Sequence, residues 1–107
     1  MSSSWILLVL AGLAEIAFAI GLKFTEGFSK PLPTFLTIIA MLISLFFLSR
    51  ASLHIPIGTA YSVWVGIGAI GACVLGAILF QESLTFLRVF FLILLLVSIV
   101  GLKVTNP

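Results

Sequence analysis

The sequence predicts an all-α membrane protein with four transmembrane helices. Of its 107 residues, 63% are hydrophobic and only 7% are charged, a composition more apolar than a water-soluble domain of this length needs. The apolar residues form four runs of about 20 residues, the length that crosses the hydrocarbon of a bilayer. Each run must be a helix, because an unpaired strand edge cannot face lipid and the runs lack the alternation of barrel strands.

The four predicted spans follow one another closely. They cover residues 5–22, 32–49, 55–80 and 85–102. The linkers between them are too short for a soluble domain. We therefore expect residues 1–107 to form a single four-helix transmembrane domain.

Polar and aromatic residues mark the ends of the spans. Trp5 begins the first span as an interfacial anchor, and the linker of residues 23–31 separates that span from the second. The third span lies between the linker of residues 50–54 and the polar turn of residues 81–85. Arg88 lies one turn inside the fourth span, where its long side chain can reach the interface while its stem stays among apolar groups.

The sparse polar residues argue against several classes of function. The net charge of +2 comes from separate loop and end residues, which form no basic stripe for nucleic acid. Cys73 is the only cysteine and His54 the only histidine, so the sequence offers no disulfide and no metal-ligand set. The G-x-G-x-x-G pattern of Gly66, Gly68 and Gly71 follows no strand and does not indicate a nucleotide site. We expect no cofactor, no metal and no enzymatic activity.

Glu15 is the most informative residue of the first span. It lies in the middle of that apolar run, which contains no other charge. An ionised side chain at the centre of a bilayer is costly, so its presence predicts a functional site. Gly12 and Phe18 lie one turn before and one turn after it on the same helical face. We predict that Glu15 binds substrate and protons, with Gly12 and Phe18 beside it in the pocket.

Three further side chains could line this pocket. Ser44 lies on span two, and Tyr61 and Trp64 share one face of span three. A carboxylate, two aromatic rings that attract cations and hydroxyl groups that donate hydrogen bonds describe a cation site. The alternatives are that the rings serve as interfacial or packing residues and that the Ser44 hydroxyl bonds to its own helix.

One chain offers few polar walls for the path of a solute, so we expect a dimer. Lysine and arginine number two on the side of both termini and three on the opposite side, a balance too even to fix one orientation in the membrane. We therefore expect insertion in both orientations. A dimer contains two Glu15 carboxylates, and desolvation and like charge both oppose their joint ionisation. A site that holds either protons or a cation is sufficient for proton-driven antiport by alternating access.

Small residues in the last two spans indicate where helices bend or meet. Gly66 and Gly68 predict a bend in span three that serves as a hinge, because glycine weakens a helix locally. Ser98 and Gly101 on span four permit close helix contact, either within one chain or between two.

Glu15 is followed by three motifs, KFTEGF at residues 23–28, PIGTAYSVW at residues 56–64 and GIGA at residues 66–69. Together these residues resemble the small multidrug resistance family of bacterial transporters. The resemblance covers the whole chain. It implies an antiparallel, dual-topology homodimer in the bacterial inner membrane, with substrate and protons competing for the two glutamates. It also implies that span four is the main dimer contact, although a homologous chain could replace one protomer.

Within that family, the chain resembles the guanidinium-exporter branch more than the quaternary-ammonium branch. The motif GTAY at residues 58–61 and the ending GLK at residues 101–103 carry this resemblance. It implies export of guanidinium and related guanidinyl compounds, with Ser44, Tyr61 and Trp64 around the substrate.

Two residues depart from the pattern of that branch. Phe18 stands where the branch usually has tryptophan, and Val65 where it usually has threonine. Without the indole N–H the carboxylate is less constrained and can accept bulkier cations. An exporter of quaternary ammonium and other lipophilic cations is therefore the alternative function. A membrane subunit that transports nothing, with Glu15 paired to a partner's basic residue, is the alternative of a different class.

Overall fold

Four α-helices make up the described part of the chain. A computed structural model describes residues 2–105, which form α1 (Ser2–Phe24), α2 (Pro31–Ala51), α3 (Ile57–Phe80) and α4 (Phe86–Val104). Each helix is long and apolar enough to cross a membrane. The predicted all-α fold with four membrane-spanning helices is confirmed.

The turn after α1 is fixed by a buried threonine. The Thr25 hydroxyl donates a hydrogen bond to the Leu22 carbonyl at 2.7 Å and accepts one from the Phe28 backbone N–H at 3.2 Å. Between these contacts the backbone is left-handed at Glu26, Gly27 and Phe28, with φ of 47°, 73° and 67°. This conformation suits glycine best, and it turns the chain back toward α2.

Prolines and a threonine cap begin the other helices. Pro31 is the first residue of α2, a position where its missing N–H costs nothing. Pro56 precedes α3 with φ of −52° and gives that helix its start at Ile57. At the start of α4, the Thr85 hydroxyl accepts a hydrogen bond from the Arg88 backbone N–H at 3.3 Å, as an N-cap residue does.

The first helix is the centre of the packing. It contacts both α2 and α3, whereas α4 packs mainly on α3, and none of the residues of α4 is buried. The buried apolar side chains gather where α1 begins, α2 ends and α3 begins. They are Leu8, Ala11, Leu48, Ala51, Ile55, Ala60, Val63 and Trp64. We call this half of the protomer the closed end.

The opposite half of the protomer, which we call the open end, has two grooves on its surface. A groove of about 360 Å³ runs along α1 and α2 beside Gly21 and Thr37, where the two helices are in close contact, since a Cβ at Gly21 would overlap the Thr37 side chain. A second groove of about 570 Å³ runs between α1 and α3 beside Ile16 and Leu75. The last half of α1 is therefore flanked by a surface groove on each side. Near its end, the tilted Phe24 and Phe80 rings pack with centroids 5.3 Å apart, and the Lys23 ammonium lies 5.5 Å from the Phe80 centroid.

Candidate functional site

Glu15 lies at the boundary between the closed and open ends. Its side chain is half-buried, and its Oε1 atom is buried without a hydrogen-bond partner. The two ion pairs found within residues 2–105 join Lys23 to Glu82 at 3.5 Å and Lys30 to Glu26 at 4.0 Å. Neither pair involves Glu15. Its carboxylate therefore has acceptor capacity that the described part of this chain does not use.

A buried hydrogen-bond chain links three helices one turn before Glu15. The Trp64 indole N–H donates to the Ser44 hydroxyl at 2.8 Å. The Ser44 hydroxyl in turn donates to the Ala11 backbone carbonyl at 2.7 Å. Trp64 on α3 is thereby joined through Ser44 on α2 to the backbone of α1. All three residues are at most 5% exposed.

These hydrogen bonds end at the backbone of the helix that carries Glu15 and do not reach its carboxylate. In a regular α-helix the backbone N–H of Glu15 donates to the carbonyl of Ala11, four residues earlier and about 6 Å along the axis. The Ser44 hydroxyl bonds to that same carbonyl. Ser44 therefore bonds across helices, and the alternative of a bond within its own helix is wrong. Its single hydrogen is committed to α1, and its remaining lone pair is the part that could meet a ligand.

The two predicted aromatic residues lie together, but one of them is exposed. The Tyr61 and Trp64 rings have centroids 5.3 Å apart at an angle of 56°. Trp64 is 5% exposed, whereas Tyr61 is 54% exposed within the protomer. Tyr61 can therefore offer a ring face and a hydroxyl to a solute or a second chain. Phe18 is half-buried, one turn beyond Glu15 on α1.

The glycines of α1 and α3 allow these two helices to pack closely. Gly12 is buried against the Ile67 side chain, whose Cγ2 lies 2.5 Å from the place that a Cβ of residue 12 would take. At Gly68 a Cβ would overlap the Glu15 side chain, and at Gly66 it would lie 2.6 Å from Ile99 of α4. The helix α3 is continuous from Ile57 to Phe80 and passes through Gly66 and Gly68 without interruption.

The two residues predicted at the dimer contact face away from the rest of the protomer. Ser98 is exposed, and its hydroxyl donates to the Leu94 carbonyl of its own helix at 2.9 Å. Gly101 is also exposed, with no atom within 4 Å of the place that a Cβ would take. The described part of the chain leaves this strip of α4 uncovered.

Two features in and beside the site could not be identified from residue types alone. The acceptor at Ala11 is a backbone carbonyl, which every residue has, although Ala11 shares the helical face of Glu15 at the spacing i−4. The other is the contact of Gly71 with Ile16, which packs α3 on α1 outside the proposed pocket. Its sequence signal is that Gly71 lies three positions after Gly68, and small residues at such spacing indicate close packing without naming the partner.

Fold and site together define a small multi-pass membrane protein with a carboxylate inside the bilayer. The model of the family described as Small Multidrug Resistance protein matches residues 3–95. The chain therefore belongs to the small multidrug resistance family, as its motifs predicted.

Curated relatives extend the match to nearly the whole chain. The guanidinium exporter of Escherichia coli O6:H1 is 48% identical over 103 residues, which cover 96% of this chain and 98% of that relative. The guanidinium exporter of Yersinia pseudotuberculosis is 48% identical, with coverage of 96% and 99%. That of Salmonella typhimurium is 48% identical over 102 residues, with coverage of 95% and 97%. The chain is thus a transporter rather than an enzyme, and it is a multi-pass protein of the bacterial inner membrane.

Proposed function

We propose that this chain is a proton-coupled antiporter that exports guanidinium and related guanidinyl cations. The observation that carries the proposal is the Glu15 carboxylate, which lies inside a membrane-spanning helix with Oε1 buried and unpartnered. Such a group needs a cation or a proton to compensate its charge in an apolar medium. The names of the relatives, which are guanidinium exporters, support the choice of cation.

Guanidinium suits this site for geometric reasons. It is planar and presents N–H groups in a fork that pairs bidentately with a carboxylate. The Tyr61 ring offers a face for a cation or for stacking, and the free lone pair of Ser44 can accept an N–H. We propose that Glu15 binds the substrate or the proton. The surrounding pocket in this proposal consists of Gly12, Phe18, Ser44, Tyr61 and Trp64.

The functional unit in this proposal is an antiparallel homodimer in which residues 1–107 of each chain form one domain. The exposed strip of α4 with Ser98 and Gly101 is the proposed contact, because its small residues allow close approach of a second helix. Two carboxylates then face one site, and occupancy by protons excludes occupancy by substrate. Flexing of α3 at Gly66 and Gly68 is the proposed route to alternating access.

An exporter of quaternary ammonium compounds is the second candidate. Quaternary ammonium groups have no N–H donors and bind through rings and apolar contact. The 54% exposure of Tyr61 and the presence of Phe18 in place of tryptophan favour such ligands. Val65, in place of threonine, removes another hydroxyl from this part of α3.

Transport in proteoliposomes tests the proposal and separates these candidates. Purified protein is reconstituted without any other chain, and uptake of guanidinium and of a quaternary ammonium compound is measured under an imposed proton gradient. We expect gradient-driven guanidinium uptake that is faster than quaternary ammonium uptake and is abolished by Glu15→Gln. A folded dimer that moves neither cation would instead indicate a non-transporting subunit or a need for a homologous partner chain.

The orientation of the chains is tested separately. A single cysteine is placed at one terminus in a Cys73→Ala background and labelled from each side of intact cells with an impermeant reagent. We expect labelling from both sides, since the lysine and arginine balance does not fix an orientation. Labelling from one side only would refute the dual topology.

A further inference from the structure

The closest approach between α1 and α3 lies at the residue proposed to bind the cation. At Gly68, a Cβ would overlap the Cγ of Glu15, and it would lie 3.4 Å from both the Cβ and the Cδ of that side chain. Gly68 is itself buried. The whole aliphatic part of Glu15 therefore rests on the α3 backbone at a place where any other residue would put a side chain.

Two neighbouring contacts would be broken if the two helices moved apart to make room. One turn toward the closed end, the Ile67 side chain lies on Gly12, with Cγ2 2.5 Å from the ideal Cβ position. On the other side, the Ile16 side chain lies on Gly71 in the same manner. Both contacts have a glycine on one helix and an isoleucine on the other. Because separation of the helices would break both contacts, the flexible Glu15 side chain is the part that we expect to yield.

We propose that Gly68 is a positioning residue for Glu15. The missing side chain at residue 68 is what allows the carboxylate to lie flat against α3, one helical turn beyond the level of Trp64, with Oε1 buried. A methyl group there forces the Glu15 side chain into another rotamer, which moves the carboxylate away from the Trp64–Ser44 level of the site. The functional part of this inference rests on the proposed role of Glu15 in binding cations.

This role differs from that of a hinge. A hinge needs backbone freedom at residue 68, which the Glu15 side chain does not affect. The positioning role requires only that residue 68 has no Cβ. The effect of adding a Cβ is then relieved when the Glu15 side chain is removed. A pair of substitutions therefore separates the two roles.

Thermal unfolding of the purified protein tests the contact itself, without any substrate. Gly68→Ala is measured alone and in a Glu15→Ala background, and Gly71→Ala is the matched control because its Cβ would meet Ile16 instead. We expect Gly68→Ala to lower Tm when Glu15 is present. In the Glu15→Ala background it should leave Tm unchanged or raise it, since alanine is the better helix former. Gly71→Ala should lower Tm equally in both backgrounds.

An equal loss of Tm on Gly68→Ala in both backgrounds would overturn the proposal. If Gly68→Ala does not fold, the double variant Glu15→Ala, Gly68→Ala decides between the outcomes. A double variant that folds supports the positioning role, and one that does not fold refutes it. This outcome is independent of whether the chain transports guanidinium. The inference about the contact and the proposed function can therefore fail separately.

Guanidinium binding tests the positioning role. In equilibrium titrations across pH, we expect Gly68→Ala to weaken binding about tenfold or more, because misplacement of a binding group by about 1 Å has effects of this size or larger. It should also shift the pH at which protons displace half of the ligand. Gly71→Ala should leave that pH unchanged. An unaltered pH midpoint and affinity in folded Gly68→Ala would refute positioning, and absence of binding by the unmodified protein would refute the proposed function instead.

Discussion

Replacement of Ser44 by alanine tests whether the hydrogen-bond chain holds the site together. Ser44 is fully buried, and its hydroxyl takes part in bonds of 2.7 and 2.8 Å. The substitution removes only the oxygen. The Ala11 carbonyl keeps its partner within α1. Removal of the Ser44–Ala11 hydrogen bond therefore costs about 0.6 kcal/mol, an average value for hydrogen bonds between helices in a membrane. The buried Trp64 N–H loses its acceptor, which costs about 1–3 kcal/mol. We therefore expect a loss of about 2–3 kcal/mol in the free energy of unfolding.

Unfolding in mixed detergent and dodecyl sulfate micelles can measure this loss. The chain has two tryptophans, so a Trp5→Phe background leaves Trp64 as the only indole and its emission reports on the hydrogen-bond chain directly. Ser29→Ala is the control, since that hydroxyl is exposed, bonds only to the Glu26 carbonyl in its own turn and lies outside the proposed dimer contact. We expect the control to change the free energy of unfolding by less than about 0.5 kcal/mol.

The pairwise bond is isolated by a second substitution. In a protein that retains Trp5 as the fluorophore, Trp64→Phe should cost less in the Ser44→Ala background than alone, because the indole N–H is then already without an acceptor. Additive losses would show that Ser44 and Trp64 do not interact energetically. A loss below about 0.5 kcal/mol on Ser44→Ala would refute the magnitude derived from the two bonds.

Three further predictions concern the transport cycle and the fold. Because protons and substrate compete for Glu15 in the proposed mechanism, the apparent KM for guanidinium in proteoliposomes should rise as the pH falls, and a KM independent of pH would contradict competition. Phe18→Trp should raise the ratio of guanidinium to quaternary ammonium transport rates, whereas an unchanged ratio would place selectivity elsewhere. Gly27→Ala should destabilise the protein by about 1–2 kcal/mol, since φ is 73° there; Gly58→Ala, with open space around it, should show no such loss in the same unfolding assay.

The helices could be predicted from hydropathy, but their ends could not be. Apolar runs identify the part of each helix that lies in hydrocarbon, and backbone hydrogen bonding continues beyond it, as in α1, which extends through Lys23 to Phe24. Before α3, by contrast, the apolar run begins earlier than the helix. Ile55 is apolar and buried, yet its backbone N–H bonds to the Ala51 carbonyl at 3.1 Å in the preceding turn.

The members of the site could be predicted more readily than their connections. Charge and helical spacing brought Glu15, Ser44 and Trp64 to attention, because polar groups in a membrane span need partners. The sequence could not show that Ser44 bonds to the backbone of α1 rather than to the carboxylate, since that depends on the separation and rotation of three helices. Nor could it show that Gly68 packs on Glu15. Glycine patterns indicate close approach without identifying what approaches.

The uneven packing of the protomer bears on how two copies could be arranged. Apolar side chains such as Leu8 and Val63 fill the closed end, the grooves lie in the open end, and Glu15 lies between them. Two protomers side by side in the same orientation would place both closed ends at one membrane face, so one face would be sealed and the other open. An inverted pair places one closed end and one open end at each face. A small shift of one protomer against the other can then exchange which face is accessible, which a carrier that alternates between two sides requires. The packing of a single chain is thus a second reason, besides the lysine and arginine balance, to propose the inverted pair.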